Sequence, residues 1–189
     1  LYLAEVNEDA RLVTLQTERI YNFAYLISSS AFLREAKTSH YRDSLYAYGQ
    51  LLEMLKSFSE STGESVSAAL YIKSCQRVLS THEGVRPLEE SADRELVEAF
   101  SERNLHTTLY ANSNGQLAMV QALPKYYYDG SVLLLFYIDL PSLRPETDAA
   151  NLSVYTEEGE LLWGTDPFLQ SGEALLVSAF GEQDTGVVE

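Results

Sequence analysis

The sequence predicts an α+β protein in which long amino-terminal helices pack on an antiparallel five-stranded sheet, followed by a small second β lobe. Three observations predict this fold class. Apolar residues recur at helical spacing in the first third of the chain, the spacing changes to two from Ser65, and the composition changes after Pro145. We therefore expect a helical region over 1–62, a sheet-based lobe over 63–145, and a small lobe over 146–189 that the sequence need not contain in full.

The first helix is predicted by apolar residues that recur every seven positions at Val6, Val13, Ile20 and Ile27. A helix of about thirty residues would be on the order of 45 Å long. Such a helix either lies along the sheet or forms a seam with a second copy of the chain, because a seven-residue repeat serves both purposes. A second stripe at helical spacing predicts another helix over 41–58.

The middle of the chain alternates apolar and polar positions with the period of a β-strand. Strands are expected over 65–73, 77–81, 107–111, 116–123 and 131–140. The pair Asn114-Gly115 is a typical hairpin turn between two of them. Between the second and third strands, Pro87 is expected to open a third helix. Its inner face would be formed by Leu88, Ala92, Leu96 and Phe100.

The last part of the chain contains shorter strand-like runs. Two of them, 152–156 and 160–163, flank the turn signal Glu158-Gly159, and a third covers 174–180. These runs are too short to build a core of their own. We therefore expect a small β lobe and not an independent domain.

Charge and composition exclude several classes of partner and site. The net charge is −15, from 28 acidic and 13 basic residues without a basic cluster, which argues against nucleic acid and anionic lipid as partners. A single cysteine, Cys75, excludes an internal disulfide and cysteine-built metal sites. The histidines and glycines show no metal-ligand, nucleophile or phosphate-loop spacing. We therefore expect no cofactor, no metal and no catalytic residue.

No stretch of the sequence approaches the ~20 apolar residues that a membrane-spanning helix needs. The chain begins at Leu1 and not at a methionine, so we expect it to be a piece of a longer protein. Any contact with a membrane is then expected only through segments outside this sequence.

The order of elements, helix, helix, two strands, helix and three strands, resembles a known family. With the strand Gly130–Leu140 leading into the segment Asn151–Trp163, the chain resembles the extracytoplasmic Cache sensor domains of bacterial membrane receptors, whose sheets are PAS-like. It is most similar to the double-Cache type, with a full distal lobe and a shorter proximal lobe. The resemblance implies a sensor: a small ligand lies against one face of the distal sheet, the long helix packs on the other, and the change passes along the helices to the membrane.

The sequence also departs from that family. Its amino-acid-binding members carry a tyrosine followed by an Arg-x-Trp-Tyr run beside the pocket, and this chain has no such run. The only tryptophan, Trp163, lies in the expected second lobe. The resemblance therefore implies no ligand class.

The candidate ligand-binding residues lie on the sheet. Asp139 falls where the family often has an acid at a strand end, and alternation places it on one face with Tyr137; it either binds an amine or hydroxyl or caps the turn at Pro141. Tyr71 and Ser67 share the side of the first strand that we expect to remain open, although a tyrosine there can equally be a packing residue. Tyr137 itself is also a candidate. The remaining candidates are Tyr110, Met119 and Gln121 on neighbouring strands, and Tyr126 and Tyr128 in a loop.

Two functions from different classes are consistent with these residues. The first is an extracytoplasmic small-molecule-sensing domain, without enzymatic activity of its own, of a membrane-anchored bacterial signalling protein. A sensor histidine kinase is favoured, with a chemoreceptor or a membrane-bound transcription regulator as alternatives. The second is a structural module without a ligand, which forms a homodimer through the first helix.

Overall fold

The structure, a computed structural model, describes residues 2–38, 42–102, 108–123, 131–139, 142, 154–155 and 161–163. The chain divides into two compact units. One comprises Phe23–Asp139, and the other comprises Leu1–Asn22 together with Leu140–Glu189. Among the described residues, no helix combines the length and the apolar character needed to cross a membrane.

Three helices precede the sheet: α1 (Tyr2–Ser29), α2 (Ala31–Thr38) and α3 (Leu45–Ser61). The two predicted helices are therefore present, with a break after the first. At the break, the hydroxyl of Ser30 accepts a hydrogen bond of 3.1 Å from the backbone N–H of Phe32. This contact satisfies a free donor in the first turn of α2 and lets a new helix start.

The last two residues of the seven-residue recurrence in α1 lie in the core. Ile20 and Ile27 are both fully buried within this chain. Because these two side chains are already covered, they are not available for a seam with a second copy. Of the two interpretations of the recurrence, packing within the chain is the one that the structure confirms at these positions.

The sheet contains the five predicted strands and one more. The strands are β1 (Val66–Ile72), β2 (Arg77–Ser80), β3 (Gly84–Pro87), β4 (Leu109–Ser113), β5 (Gln116–Ala122) and β6 (Val132–Ile138). Their order is β3-β2-β1-β6-β5-β4, and every neighbouring pair is antiparallel. The predicted α+β class, with helices on an antiparallel sheet, is confirmed. At the β4–β5 turn, Asn114 and Gly115 both have positive φ, as such hairpin turns require.

The prediction that the third helix begins at Pro87 is wrong. Pro87 ends the edge strand β3, a short 3-10 turn covers Leu88–Glu90, and the helix α4 covers Arg94–Glu102. Proline is tolerated on an edge strand because its missing N–H removes no bond from the interior of a sheet. As a result Ala92, expected on the inner face of the helix, precedes it and is exposed.

Strand β1 is buried along its whole length, which contradicts the expectation that one of its faces is open. On one face, Phe136 of β6 meets Phe23 of α1 and Phe58 of α3, whose rings stack at 4.3 Å. On the other face, Val97 and Phe100 of α4 join the core built on the sheet. The expectation failed because α4 packs over the face of the sheet that was predicted to be open.

The carboxyl-terminal region contains a two-stranded antiparallel hairpin, β7 (Val154–Tyr155) and β8 (Leu161–Trp163). It corresponds to the first two of the predicted runs. The third run, 174–180, lies outside the described residues.

The aromatic cluster of Phe23, Phe58 and Phe136 predicts a large effect of truncation. Phe136 is fully buried, with ring centroids 6.3 Å from Phe23 and 5.6 Å from Phe58. We expect Phe136→Ala to lower the free energy of unfolding by about 3–5 kcal/mol, measured by urea denaturation. In the control, Tyr25→Ala removes a ring that is 78% exposed, and we expect a change within about 0.5 kcal/mol. Equal losses in the two variants would contradict the assignment of the core.

Candidate functional site

The face of the sheet beneath α4, called here the α4 face, brings together three of the predicted residues. Ser67 of β1 lies directly opposite Tyr137 of β6, and Tyr71 lies opposite Leu133. Directly opposed residues of antiparallel strands have their side chains on the same face. Tyr71 and Tyr137 also contribute to the core beneath α4, and Ser67 is buried. The structure therefore places Ser67, Tyr71 and Tyr137 on one face.

Two other predicted residues, Met119 and Gln121, belong to the opposite face. Met119 of β5 pairs with Phe136, a member of the aromatic cluster beneath the amino-terminal helices, and Gln121 pairs with Leu134. Tyr110 of β4 pairs with Met119 in the backbone register of the two strands. The sequence shows which residues alternate within a strand, but not which set of β5 faces the same way as Ser67 and Tyr71. Met119 and Gln121 are therefore separated from Ser67, Tyr71 and Tyr137 by the thickness of the sheet.

Asp139 lies one residue beyond β6, where alternation keeps it on the side of Tyr137. Its backbone N–H donates a hydrogen bond of 2.8 Å to the carbonyl oxygen of Ser65, which extends the pairing of β6 with β1. A ligand-binding role for Asp139 stays a prediction. The loop candidates Tyr126 and Tyr128 lie outside the described residues.

The main polar group on the α4 face is Asp93, which the sequence analysis did not select. Asp93 directly precedes α4 and is buried, with only 6% of its surface exposed. The hydroxyl of Tyr137 donates a short hydrogen bond to the Oδ1 atom of Asp93. The backbone carbonyl of Asp93 accepts a bond of 3.1 Å from the N–H of Val97, in the first turn of α4. Asp93 therefore connects the start of α4 directly to β6.

A second set of contacts fixes the loop that leads into α4. The hydroxyl of Ser91 donates to Oδ2 of Asp93 at 3.2 Å and accepts from the backbone N–H of Asp93 at 3.2 Å. Oε2 of Glu83 accepts a bond of 3.3 Å from the N–H of Ala92 and lies 3.4 Å from the Ser91 hydroxyl. Because Ser91 has one hydroxyl proton, it cannot donate to both carboxylates at once. The two acids therefore compete for one donor.

Burial changes the acidity of this site. Removal from water raises the pKa of Asp93, although the hydrogen bonds from Tyr137 and Ser91 oppose this effect; nearby Glu83 raises the pKa further and His82 lowers it. The pKa of Tyr137 is also raised, first by burial and then by the negative charge of Asp93. The raised pKa of Tyr137 keeps its phenol protonated, so Tyr137 acts as the donor and the carboxyl group of Asp93 as the acceptor.

The α4 face has unused capacity for hydrogen bonds. The hydroxyl of Ser67 is buried and has no partner among the described residues. An ionised carboxylate offers about four lone-pair sites, and the described contacts of Asp93 use two of them. A buried polar group without a partner costs about 1–3 kcal/mol, so unused capacity at this depth favours a polar guest.

The sequence held a signal for part of this site. Ser91 and Asp93 are of the types that precede helices, and their spacing before an apolar face could have located the start of α4. No local pattern, however, links Asp93 to Tyr137, which follows it by 44 residues. Among the described residues, no group of three or more His, Cys, Asp or Glu side chains is arranged to hold a metal ion.

Comparisons with known proteins give one similarity of fold. No family model matches the chain, and no curated protein matches it. Among solved structures, the chain is similar to the ligand-binding domain of the Campylobacter jejuni chemoreceptor Tlp3, determined in complex with L-norvaline. The two share 14% sequence identity over 92% of this chain and 74% of that one, with a TM-score of 0.41. A likeness of this size does not determine a ligand.

The raised pKa of Asp93 predicts a pH dependence of stability. A carboxyl group whose pKa is higher in the folded than in the unfolded state binds its proton more tightly when folded. Its contribution to the free energy of unfolding therefore falls as the pH rises from below the ordinary value of 3.8 through the raised pKa. Asp93→Asn removes this titration, so the unfolding free energy of the wild type minus that of the variant should decrease over this window and then level off.

Urea denaturation at a series of pH values measures this difference. Tyr137→Phe is the matched variant, because it removes a hydrogen bond that lowers the pKa of Asp93. We expect the decrease to continue to higher pH in that background. A difference that increases with pH would show that Asp93 is stabilised as the charged form, contrary to the burial argument.

Proposed function

We propose that this chain is the extracytoplasmic small-molecule-sensing domain of a membrane-anchored bacterial signalling protein, and that the ligand binds on the α4 face of the sheet. The observation that supports the site is the buried carboxyl group of Asp93. It is held by Tyr137 across the junction of α4 and β6, on the face that also carries the hydroxyl of Ser67, which has no hydrogen-bond partner in the described part of the chain.

The chemistry of this face favours a small polar ligand with hydrogen-bond donors. Asp93 can accept further bonds, and Ser67 can donate or accept. Tyr71 adds a buried aromatic surface on the same face. An amine or hydroxyl that binds a buried carboxylate forms a charge-assisted bond, which is stronger than a bond between neutral groups. The apolar residues around these groups would contact the carbon skeleton of the ligand.

The contact between Tyr137 and Asp93 offers a route from binding to signalling. It joins the loop before α4 to the central part of the sheet, so a ligand that takes over one of these partners changes how α4 is held. A ligand shifts an equilibrium only by the difference in its affinity for the two arrangements. A coupling of about 1–3 kcal/mol is typical of such responses.

Within this proposal, the output region is a sensor histidine kinase, with a chemoreceptor or a membrane-bound transcription regulator as the alternatives. The domain itself acts as a sensor without catalytic activity, on the outer face of the cell membrane. The proposal predicts an apolar span in the full-length protein, followed by a kinase, methyl-accepting or DNA-binding region. The sequence beyond this chain distinguishes the three outputs.

A thermal-shift screen of small amines, amino acids and polyols tests the site. We expect at least one compound to raise the melting temperature, and Asp93→Asn to weaken its binding about tenfold or more, since bonds to charged groups are worth about 1.5–3 kcal/mol. Ser67→Ala should weaken binding without destabilising the free protein, because the hydroxyl that it removes makes no hydrogen bond to any residue that the structure describes. Asp43→Asn, which removes the same charge at an exposed position, is the control and should bind as the wild type does.

Calorimetric titration with the best compound measures these affinities. If both site variants bind it like the wild type, the ligand lies elsewhere and the proposed site is wrong. If no compound in the screen stabilises the protein, the sensing proposal loses its support in favour of a module without a ligand.

A further inference from the structure

A second candidate site lies on the opposite side of the sheet, among the amino-terminal helices. A cavity of about 260 Å³ is lined by Ser28 of α1, by Leu33, Arg34, Lys37 and Thr38 of α2, and by Leu123 at the end of β5. We propose that this cavity binds a small organic carboxylate that carries a hydrogen-bond donor at its other end. This site is separate from the α4 face and does not depend on the proposed function.

The first argument is the local charge. The chain has only 13 basic residues against 28 acidic ones, so its overall field repels anions. Two of the basic side chains, Arg34 and Lys37, nevertheless line the same cavity. The guanidinium group of Arg34 forms no hydrogen bond or ion pair with any residue in the described ranges. A guanidinium group can form two parallel hydrogen bonds with a carboxylate. An organic acid is therefore the ligand that Arg34 would bind best.

The second argument is a buried polar group, Gln121, on the same face of β5 as the lining residue Leu123. Gln121 is 3% exposed, and its Oε1 atom has no hydrogen-bond partner among the described residues. The N–H of Leu123 donates to the carbonyl of Val132 at 3.0 Å, so the chain stays extended and paired from Gln121 to Leu123. Alternation then puts both side chains on the same face. Gln121 therefore lies on the face of β5 that lines the cavity at Leu123, and among the described residues its carboxamide oxygen lacks the donor that a ligand could supply.

Distances and size limit the ligand. Two residues along a strand span about 6.6 Å, which is the separation between the positions of Gln121 and Leu123. The cavity is slightly smaller than the common range of ligand pockets, about 300–1,000 Å³. A ligand that extends from Arg34 past Leu123 towards Gln121 therefore needs a spacer of a few bonds between its carboxylate and its hydroxyl or amino group. The apolar walls, Leu33 and Leu123, suit the carbon atoms between the two polar ends.

The experiment compares three probes of one length: γ-hydroxybutyrate, with charge and donor; butyrate, with charge only; and γ-hydroxybutyramide, with donor only. Calorimetric titration should give the tightest binding for γ-hydroxybutyrate, binding at least threefold weaker for butyrate, and none for the amide. Arg34→Gln should weaken binding of γ-hydroxybutyrate at least fivefold. Arg86→Gln is the matched control, because Arg86 is exposed on β3, four strands away from β5, and binding should be unchanged.

Gln121→Leu separates a binding role from a merely structural one. Removal of an unpartnered buried amide should raise the melting temperature of the free protein while reducing the affinity for γ-hydroxybutyrate to that for butyrate. If γ-hydroxybutyrate does not bind the wild type, or if Arg34→Gln and Arg86→Gln weaken it equally, the proposal is overturned. Asp93→Asn should leave this binding unchanged; a loss there would place the probe on the α4 face and also overturn the proposal.

Discussion

Strand β1 is buried along its whole length and paired on both edges, and the remaining architecture follows from this constraint. A strand in this position has its backbone groups satisfied by β2 and β6, but both rows of side chains need a cover. The helices α1 and α3 supply one cover through the cluster around Phe136, and α4 supplies the other. Neither layer can be lost without exposing half of the core.

A sheet that is covered on both faces has few places for buried polar groups. The polar groups beneath α4 are therefore informative about function. A buried carboxyl group is costly unless it is bound, and Asp93 is bound by Tyr137 and Ser91. Apolar residues of similar volume at these positions would serve packing at least as well. The polar residues thus depart from what folding alone would favour, and such departures occur mainly where a protein binds or reacts. The same reasoning applies to Gln121 on the other face.

Periodicity alone predicted most of the elements, because the spacing of apolar residues reflects which face of a helix or strand is buried. It located α1, α3 and five strands of the sheet, including the turn at Asn114. It could not show that α4 returns over β1, since this depends on the path of the chain after β3. It also could not relate the faces of distant strands, so it did not show that Met119 shares a face with Phe136 and not with Tyr71. The bond between Asp93 and Tyr137 depends on that same long-range pairing.

The edge strand β3 has a consequence for how copies of this protein behave in a crowded solution. An exposed edge offers unpaired backbone groups on which another chain can add a strand, the first step towards fibrils. β3 is only four residues long, ends in Pro87 and carries the exposed charge of Arg86. Each of these features discourages growth of the sheet from this side. The segment that displaced the expected helix therefore also protects the sheet against aggregation.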